Sequence, residues 1–242
     1  MELPLDEVLK NHLTLTDRTI ALIEKAILSG SMKNGERIVE TELARQLGIS
    51  KAPVREALKK LEGDGIVERL PRKGYIVMPV TRKSVDDFFA LMLLLDPPIA
   101  KMALRKKNHA ICSEIERMIE DMRQSLRSES FDAYLDLNEK FHGLFYQVVE
   151  NEWITKITQM LRKQARILRS LSLFTKDRFK SSIKEHEAIA KAYLRGESRG
   201  LEKAVTYHLE RFRANILESK FLETVKPVPL KWTKKETTSN RR

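Results

Sequence analysis

Between residues 39 and 79 the spacing of apolar side chains changes from a helical to an alternating period. That change restricts the fold more than any other feature of the 242-residue chain. "VETELARQLG" (39–48) puts Leu43, Ala44 and Leu47 on one face and ends at Gly48. Ser50 then stands as the cap of a second helix running to about Gly63. Val54, Ala57, Leu58 and Leu61 form its inward stripe, and Pro53 sits in the first turn, where its missing N–H is tolerated. "GIVERL" and "GYIVMP" alternate well enough to be two strands joined by "PRK". The preceding stretch "LTDRTIALIEKAILSG" (15–30) reads as a helix capped by Thr16 or Asp17 and stopped by Gly30. Helix, tight turn, helix and hairpin form the winged variant of helix-turn-helix. Its second helix enters the major groove of DNA.

From Ser84 the texture changes and no convincing strand follows. Candidate helices are 84–107, 111–127, 130–150, 153–173, 177–195 and 198–221, with Pro97-Pro98 expected to kink the first. The expected fold class is therefore mainly α. A winged helix-turn-helix domain (10–80, three helices plus a β-hairpin) precedes an all-α helical bundle (81–225). Residues 226–242 have no apolar period and are expected to be a disordered basic tail.

Charge bears on the partner. The chain carries 45 Lys and Arg against 34 Asp and Glu, a formal net charge of +11. Residues 1–80 contribute 13 basic against 12 acidic side chains, whereas residues 226–242 contribute six against Glu236. DNA binding by the front of the chain must therefore rest on where charges are placed, not on how many there are. A single cysteine, Cys112, excludes an intrachain disulfide and fits a cytoplasmic location. "LMLLL" (91–95) is too short to span a bilayer and ends in Asp96-Pro97-Pro98, so no membrane partner is expected.

On the second helix of the motif, Ser50, Lys51, Ala52 and Arg55 face outward. Arg55 is the best base reader, because its planar fork can bond a guanine edge at two points. Ser50 and Lys51, at the helix start, suit phosphate. Arg72 and Lys73 at the hairpin tip could reach the backbone or minor groove. The bland alternative is a solvated basic face with a surface hairpin.

Among five histidines, His12 and His109 have no metal-type residue nearby and read as surface residues. Asn138 and His142 are four apart and share a helix face. His186 and His208 each lie about ten residues from the turn near 197, so antiparallel pairing of the last two helices places them side by side. Three unconnected helical histidines remain the plain alternative.

The run "NGERIVETELARQLGISKAPVREALKKLEGDGIVERLPRKGYIV" closely resembles the N-terminal domain of the GntR superfamily of bacterial transcription regulators. The resemblance implies DNA contacts at Thr41, Ser50, Lys51, Ala52, Arg55, Arg72, Lys73 and Gly74, with Lys51 where the family more often has Arg. The helical half, with its "FH", "EH" and "HL" pairs, resembles the FCD domain of the FadR-type branch. That resemblance implies a divalent metal on Asn138, His142, His186 and His208, where the family has Asp or Asn at the first position and Asn is the weaker, neutral ligand. Three imidazoles suit zinc or nickel. The family often places an Arg at the position of Met92, facing the effector pocket. Arg166 and Arg169 could supply the charge for an organic-acid effector instead, or could be solvated helix residues.

The expected function is sequence-specific transcription regulation, most simply repression. A homodimer would bind palindromic double-stranded operator DNA under the control of a small-molecule effector. A metal-dependent hydrolase using Glu185 or Glu187 as base is one rival. A non-specific nucleic-acid binder is the other.

Overall fold

The computed structural model describes residues 14–71, 73–172 and 176–219. Its first helix, α1 (Leu15–Leu28), is capped at Thr14, two or three residues earlier than the sequence suggests. The Thr14 hydroxyl accepts from the Asp17 amide and the Asp17 carboxylate accepts from Thr14, a reciprocal capping box. After β1 (Arg37–Ile38) come α2 (Glu40–Leu47) and α3 (Lys51–Gly63), followed by β2 (Val67–Leu70) and β3 (Gly74–Val77). Gly48 closes α2 in a left-handed conformation (φ 65°), which turns the chain sharply into α3. Ser50 takes the N-cap backbone of α3, but its hydroxyl makes no capping hydrogen bond.

The wing is a three-stranded antiparallel sheet ordered β1-β3-β2, not a hairpin alone. Arg37 pairs with Ile76 and Ile38 with Tyr75, while Leu70 pairs with Gly74 at the tip. Gly74 has φ +85°, and a Cβ there would lie 2.7 Å from the carbonyl oxygen of Ile38. Only glycine lets the third strand pass so close. Leu22, Ile23, Val54, Leu58, Leu61, Val67 and Tyr75 fill the core of this half.

The helical half comprises α4 (Arg82–Leu104), α5 (His109–Arg127), α6 (Phe131–Val149), α7 (Glu152–Ser172), α8 (Lys176–Arg195) and α9 (Ser198–Glu218). A Thr81–Ser84 capping box starts α4, which continues through Pro97 and Pro98 as one element. Its inner face, Phe88, Phe89, Met92 and Ile99, packs against α9, and Phe89 meets Phe212 edge to face at 5.0 Å. Among the described residues no helix is long and apolar enough to cross a membrane. The two halves meet through α7. Lys163 pairs with Asp64, the C-cap of α3, and Gln164 Nε2 donates to the Asp64 carbonyl at 3.3 Å. Ile167 packs on the winged-helix core. Beside this contact an interdomain cavity of about 530 Å³ is bordered by α1, α6 and α7.

Candidate metal centre and nucleic-acid interface

Helical spacing explains how the histidines meet. Asn138 and His142 occupy consecutive turns of α6, while α8 and α9 bring His186 and His208 to face them. The His186 and His208 rings lie 4.5 Å apart between centroids, and His142 is 5.2 Å from each. One ring nitrogen from each of the three lies within 4.8 Å of the others, close enough to share a metal ion.

Neighbours fix the tautomers. Nδ1 of His186 donates to the Ser182 carbonyl at 2.7 Å, so its Nε2 carries the lone pair. Nδ1 of His208 donates to Glu185 at 2.8 Å, which likewise leaves Nε2 as the base. That Nε2 atom is buried and has no hydrogen-bond partner among the described residues. Nε2 of His186 lies 3.2 Å from Nε2 of His142 and accepts from Nδ2 of Asn138 at 2.7 Å. Burial pushes all three imidazoles below the usual histidine range and holds them neutral, the protonation state that ligates metal. An orphaned buried lone pair, two oriented tautomers and a carboxylate behind one of them together fit a nitrogen-binding cation.

Glu185 is fixed on two sides. Burial raises its pKa, but hydrogen bonds from His208 and Arg178 override this and bring it down to about 2. Arg178 Nη1 lies 2.5 Å from it. A carboxylate so engaged orients His208 and is a poor general base, contrary to its role in the hydrolase alternative.

The metal-type cluster opens on a narrow cavity of about 30 Å³, room for a water or a single small group. His142, His208, Arg162, Arg169, Asp96 and Tyr146 supply polar groups to it, and Met92, Phe88, Phe89 and Phe212 line its apolar side. Met92 is only 5% exposed and brings no charge. Arg169 is 4% exposed, and its guanidinium lies over Phe212 at 4.3 Å. Arg166 borders the same cavity but pairs with Asp136 at 2.7 Å and Glu139 at 3.3 Å.

Three cavity groups were not singled out from the sequence. Arg162 lies seven residues before Arg169 on the same face of α7, and that spacing was the available signal. It reaches α6 because position 143 is glycine, where a Cβ would come within 2.8 to 2.9 Å of its guanidinium. Asp96, one turn beyond Met92, accepts from Tyr146 at 2.8 Å, and burial lifts its carboxyl to about 7.

On the winged helix, Thr41, Ser50, Lys51, Ala52, Arg55 and Lys73 are exposed, while Gly74 is half-buried with the structural duty described above. Arg72 lies outside the described residues, as do His12 and the tail from 226. His109 is exposed at the start of α5. Nε of Arg55 donates to Glu40 at 3.1 Å, and Nε of Arg37 donates to the Lys73 carbonyl at 2.7 Å, tying down the wing tip.

Comparison with known proteins agrees with this architecture. Residues 15–77 match the bacterial regulatory proteins of the gntR family, and residues 87–211 match the FCD domain. An uncharacterized HTH-type transcriptional regulator of Bacillus subtilis, YdhC, is 27% identical over 69% of this chain and 75% of its own length. The gluconate operon transcriptional repressor of B. subtilis is 26% identical over 63% of each chain. Among solved structures, E. coli McbR/YncC superposes with a TM-score of 0.71 at 17% identity, covering 85% of this chain and 98% of its own. These matches select the regulator over the hydrolase and over the non-specific binder. The chain belongs to the GntR family of bacterial regulatory proteins, and it is a DNA-binding transcription regulator whose helical half is an FCD effector domain.

Proposed function

We propose that the chain is a repressor that divides near residue 80 and binds a palindromic operator as a homodimer. We further propose that its helical half holds zinc or nickel on Asn138, His142, His186 and His208, beside a narrow pocket that widens to admit an organic acid. The observation that carries this reading is the buried Nε2 of His208, without a hydrogen-bond partner among the described residues, beside two other neutral imidazoles at the edge of a cavity containing Arg169. When bound, such an ion supplies a fixed positive charge to which an effector oxygen can coordinate. Arg169 would face the same oxygen atoms from α7, with Arg162 beside it. Arg166, engaged by Asp136 and Glu139, would contribute by exchanging those partners for the effector. Met92 and the phenylalanines favour an apolar group at the opposite end.

On the DNA side, Arg55 would read a base edge. Ser50, whose hydroxyl is not spent on capping, and Lys51 would hold phosphate, and Lys73 with Arg72 and Gly74 would place the wing. Thr41 and Ala52 complete the reading face. One recognition helix covers too few base pairs for useful specificity, which favours a two-fold dimer. Two exposed apolar stripes offer surfaces for it: Leu91, Leu94 and Met102 on α4, and Trp153, Ile157 and Met160 on α7. Repression accords with the name of the gluconate operon relative.

Equilibrium dialysis against zinc and nickel tests the metal reading. One ion per chain is expected, with each single His→Ala variant losing most of it. A folded wild-type protein that takes up neither ion contradicts the metal centre and leaves the histidines to bond an effector directly.

A further inference from the structure

We infer that Glu40 is a positioning residue for DNA reading: it grips Arg55 by Nε and leaves the two terminal guanidinium nitrogens presented to a single base edge. The inference rests on Arg55 being the base reader. Glu40 is the first residue of α2, and Arg55 stands on the second turn of α3. Glu40 Oε2 meets Arg55 Nε at 3.1 Å across the helix-turn-helix junction, fifteen residues apart in sequence. The contact is therefore tertiary, made only when the two helices are folded against each other.

The neighbouring arginine shows the contrast. Arg45 gives both Nε and Nη2 to Glu42, at 3.0 and 2.6 Å, so that edge of its fork is already occupied. Arg55 makes a single contact through Nε, and among the described residues its Nη1 and Nη2 carry no hydrogen bond. Its side chain is 55% exposed, so it can reach out from the protein, while that of Glu40 is only 24% exposed and more firmly seated. Arginine has many rotamers, and freezing them at an interface costs affinity. A side chain already held at Nε has lost part of that freedom before DNA arrives. The edge left over is one that can bond O6 and N7 of guanine together.

A purely electrostatic role makes the opposite forecast, which renders the idea testable. A carboxylate beside a DNA-reading face repels phosphate, so its loss should tighten binding to every duplex. A positioning role makes its loss weaken binding to the operator while sparing random DNA. The glutamine variant separates the two further. Gln keeps an oxygen acceptor for Nε–H but removes the charge. It also removes the same favourable charge at the α2 N-terminus as alanine does, so helix stability is matched.

The experiment uses the full chain and an operator selected by wild-type protein from random duplexes. Affinities for that operator and for a random duplex are measured at one salt concentration. The proteins are wild type, Glu40→Ala, Glu40→Gln, Arg55→Ala and the Glu40→Ala/Arg55→Ala pair, each checked by thermal melting. We expect Glu40→Ala to weaken operator binding by about fivefold or more, the lower end for a bidentate base contact. Random-duplex affinity should be unchanged or higher, Glu40→Gln should stay near wild type on the operator, and the double variant should bind no worse than Arg55→Ala. If Glu40→Ala and Glu40→Gln both tighten binding to operator and random duplex alike, Glu40 does not position Arg55. The same follows if the loss from Glu40→Ala persists in full without Arg55. If Arg55→Ala alone leaves operator affinity unchanged, the base-reader assignment falls first and the inference falls with it.

Discussion

Nδ1 of His208 donates to Glu185 at 2.8 Å in a site where the histidine is fully enclosed and the carboxylate is held on its other side by Arg178. This fixes which nitrogen of His208 faces the cavity, and it makes Glu185 a support for the centre. Replacing Glu185 with Ala breaks its buried pair with Arg178 and removes the acceptor of His208 Nδ1. We expect this variant to lose about 3–5 kcal/mol of stability in urea unfolding. Glu185→Gln should fold more nearly as wild type, yet bind zinc or nickel about 10–100-fold more weakly, because the carboxylate that accepts from His208 Nδ1 is gone. Equal metal affinity in wild type and Glu185→Gln would show that the carboxylate does not tune the site.

The metal-free protein should lose stability as pH falls below about 6.5. Below that value the unfolded chain protonates His142, His186 and His208. Burial keeps the same rings neutral in the fold, so the unfolded state binds more protons. Asp96 acts in the opposite sense. In the fold it keeps its proton up to about 7, whereas its ordinary value is 3.8, so the folded state gains a proton between those limits. Three histidines outweigh one carboxyl between pH 5 and 6.5. Stability measured by urea unfolding should therefore rise with pH across that interval, by about 1.4 kcal/mol per pH unit for each net proton. It should flatten near pH 7. Replacing all three histidines by Gln should remove the rise.

Asn138→Asp should strengthen metal binding by about tenfold or more, equivalent to about 1.4 kcal/mol or more, by adding a negative charge to three neutral ligands. Without metal, the same carboxylate would sit beside His186, where the amide now bonds its ring at 2.7 Å, and would raise that histidine's pKa. Dialysis against zinc and NMR titration of the His186 ring check the two effects separately.

The places where the fold was legible in the sequence share one physical reason: local period and turn chemistry agreed with the tertiary packing. Leu43, Ala44 and Leu47, then Val54, Ala57, Leu58 and Leu61, are buried as their spacing requires. The turn between α8 and α9 places His186 beside His208 because two helices of similar length run away from it. What escaped lay in short or long-range features. β1 has two residues and no alternation to detect. Thr14 caps α1 through Asp17 at the spacing of a capping box, but Asp stands where Glu or Gln usually does. The Asp96–Tyr146 bond and the Glu40–Arg55 pair join residues whose adjacency depends on how helices dock, and no one-dimensional period encodes that.

Coupling between the halves should run through α7. This helix carries Arg162, Arg166 and Arg169 at the cavity and Lys163 and Gln164 against Asp64 at the end of α3. The open interdomain cavity beside it leaves room for the halves to shift. Loss of both contacts in Lys163→Ala/Gln164→Ala should leave metal affinity unchanged but abolish any effect of zinc on hydrogen exchange of residues 60–66. Gly65→Ala should cost about 1–3 kcal/mol in thermal or urea unfolding. Its backbone has φ +70°, and a Cβ would meet Gln164 Nε2 at 2.3 Å. A zinc response that survives the double variant would place the coupling elsewhere.

The central claim is that a two-fold regulator reads a defined operator with α3. Selection of binding sites from random duplex DNA by the full chain, at near-physiological salt, tests it most directly. We expect enrichment of a palindrome whose half-sites lie on one face of the duplex, with Arg55→Ala losing the preference at one base pair in each half-site while remaining folded. Recovery of sequences with no shared motif, or of a motif that Arg55→Ala selects equally well, would contradict the account.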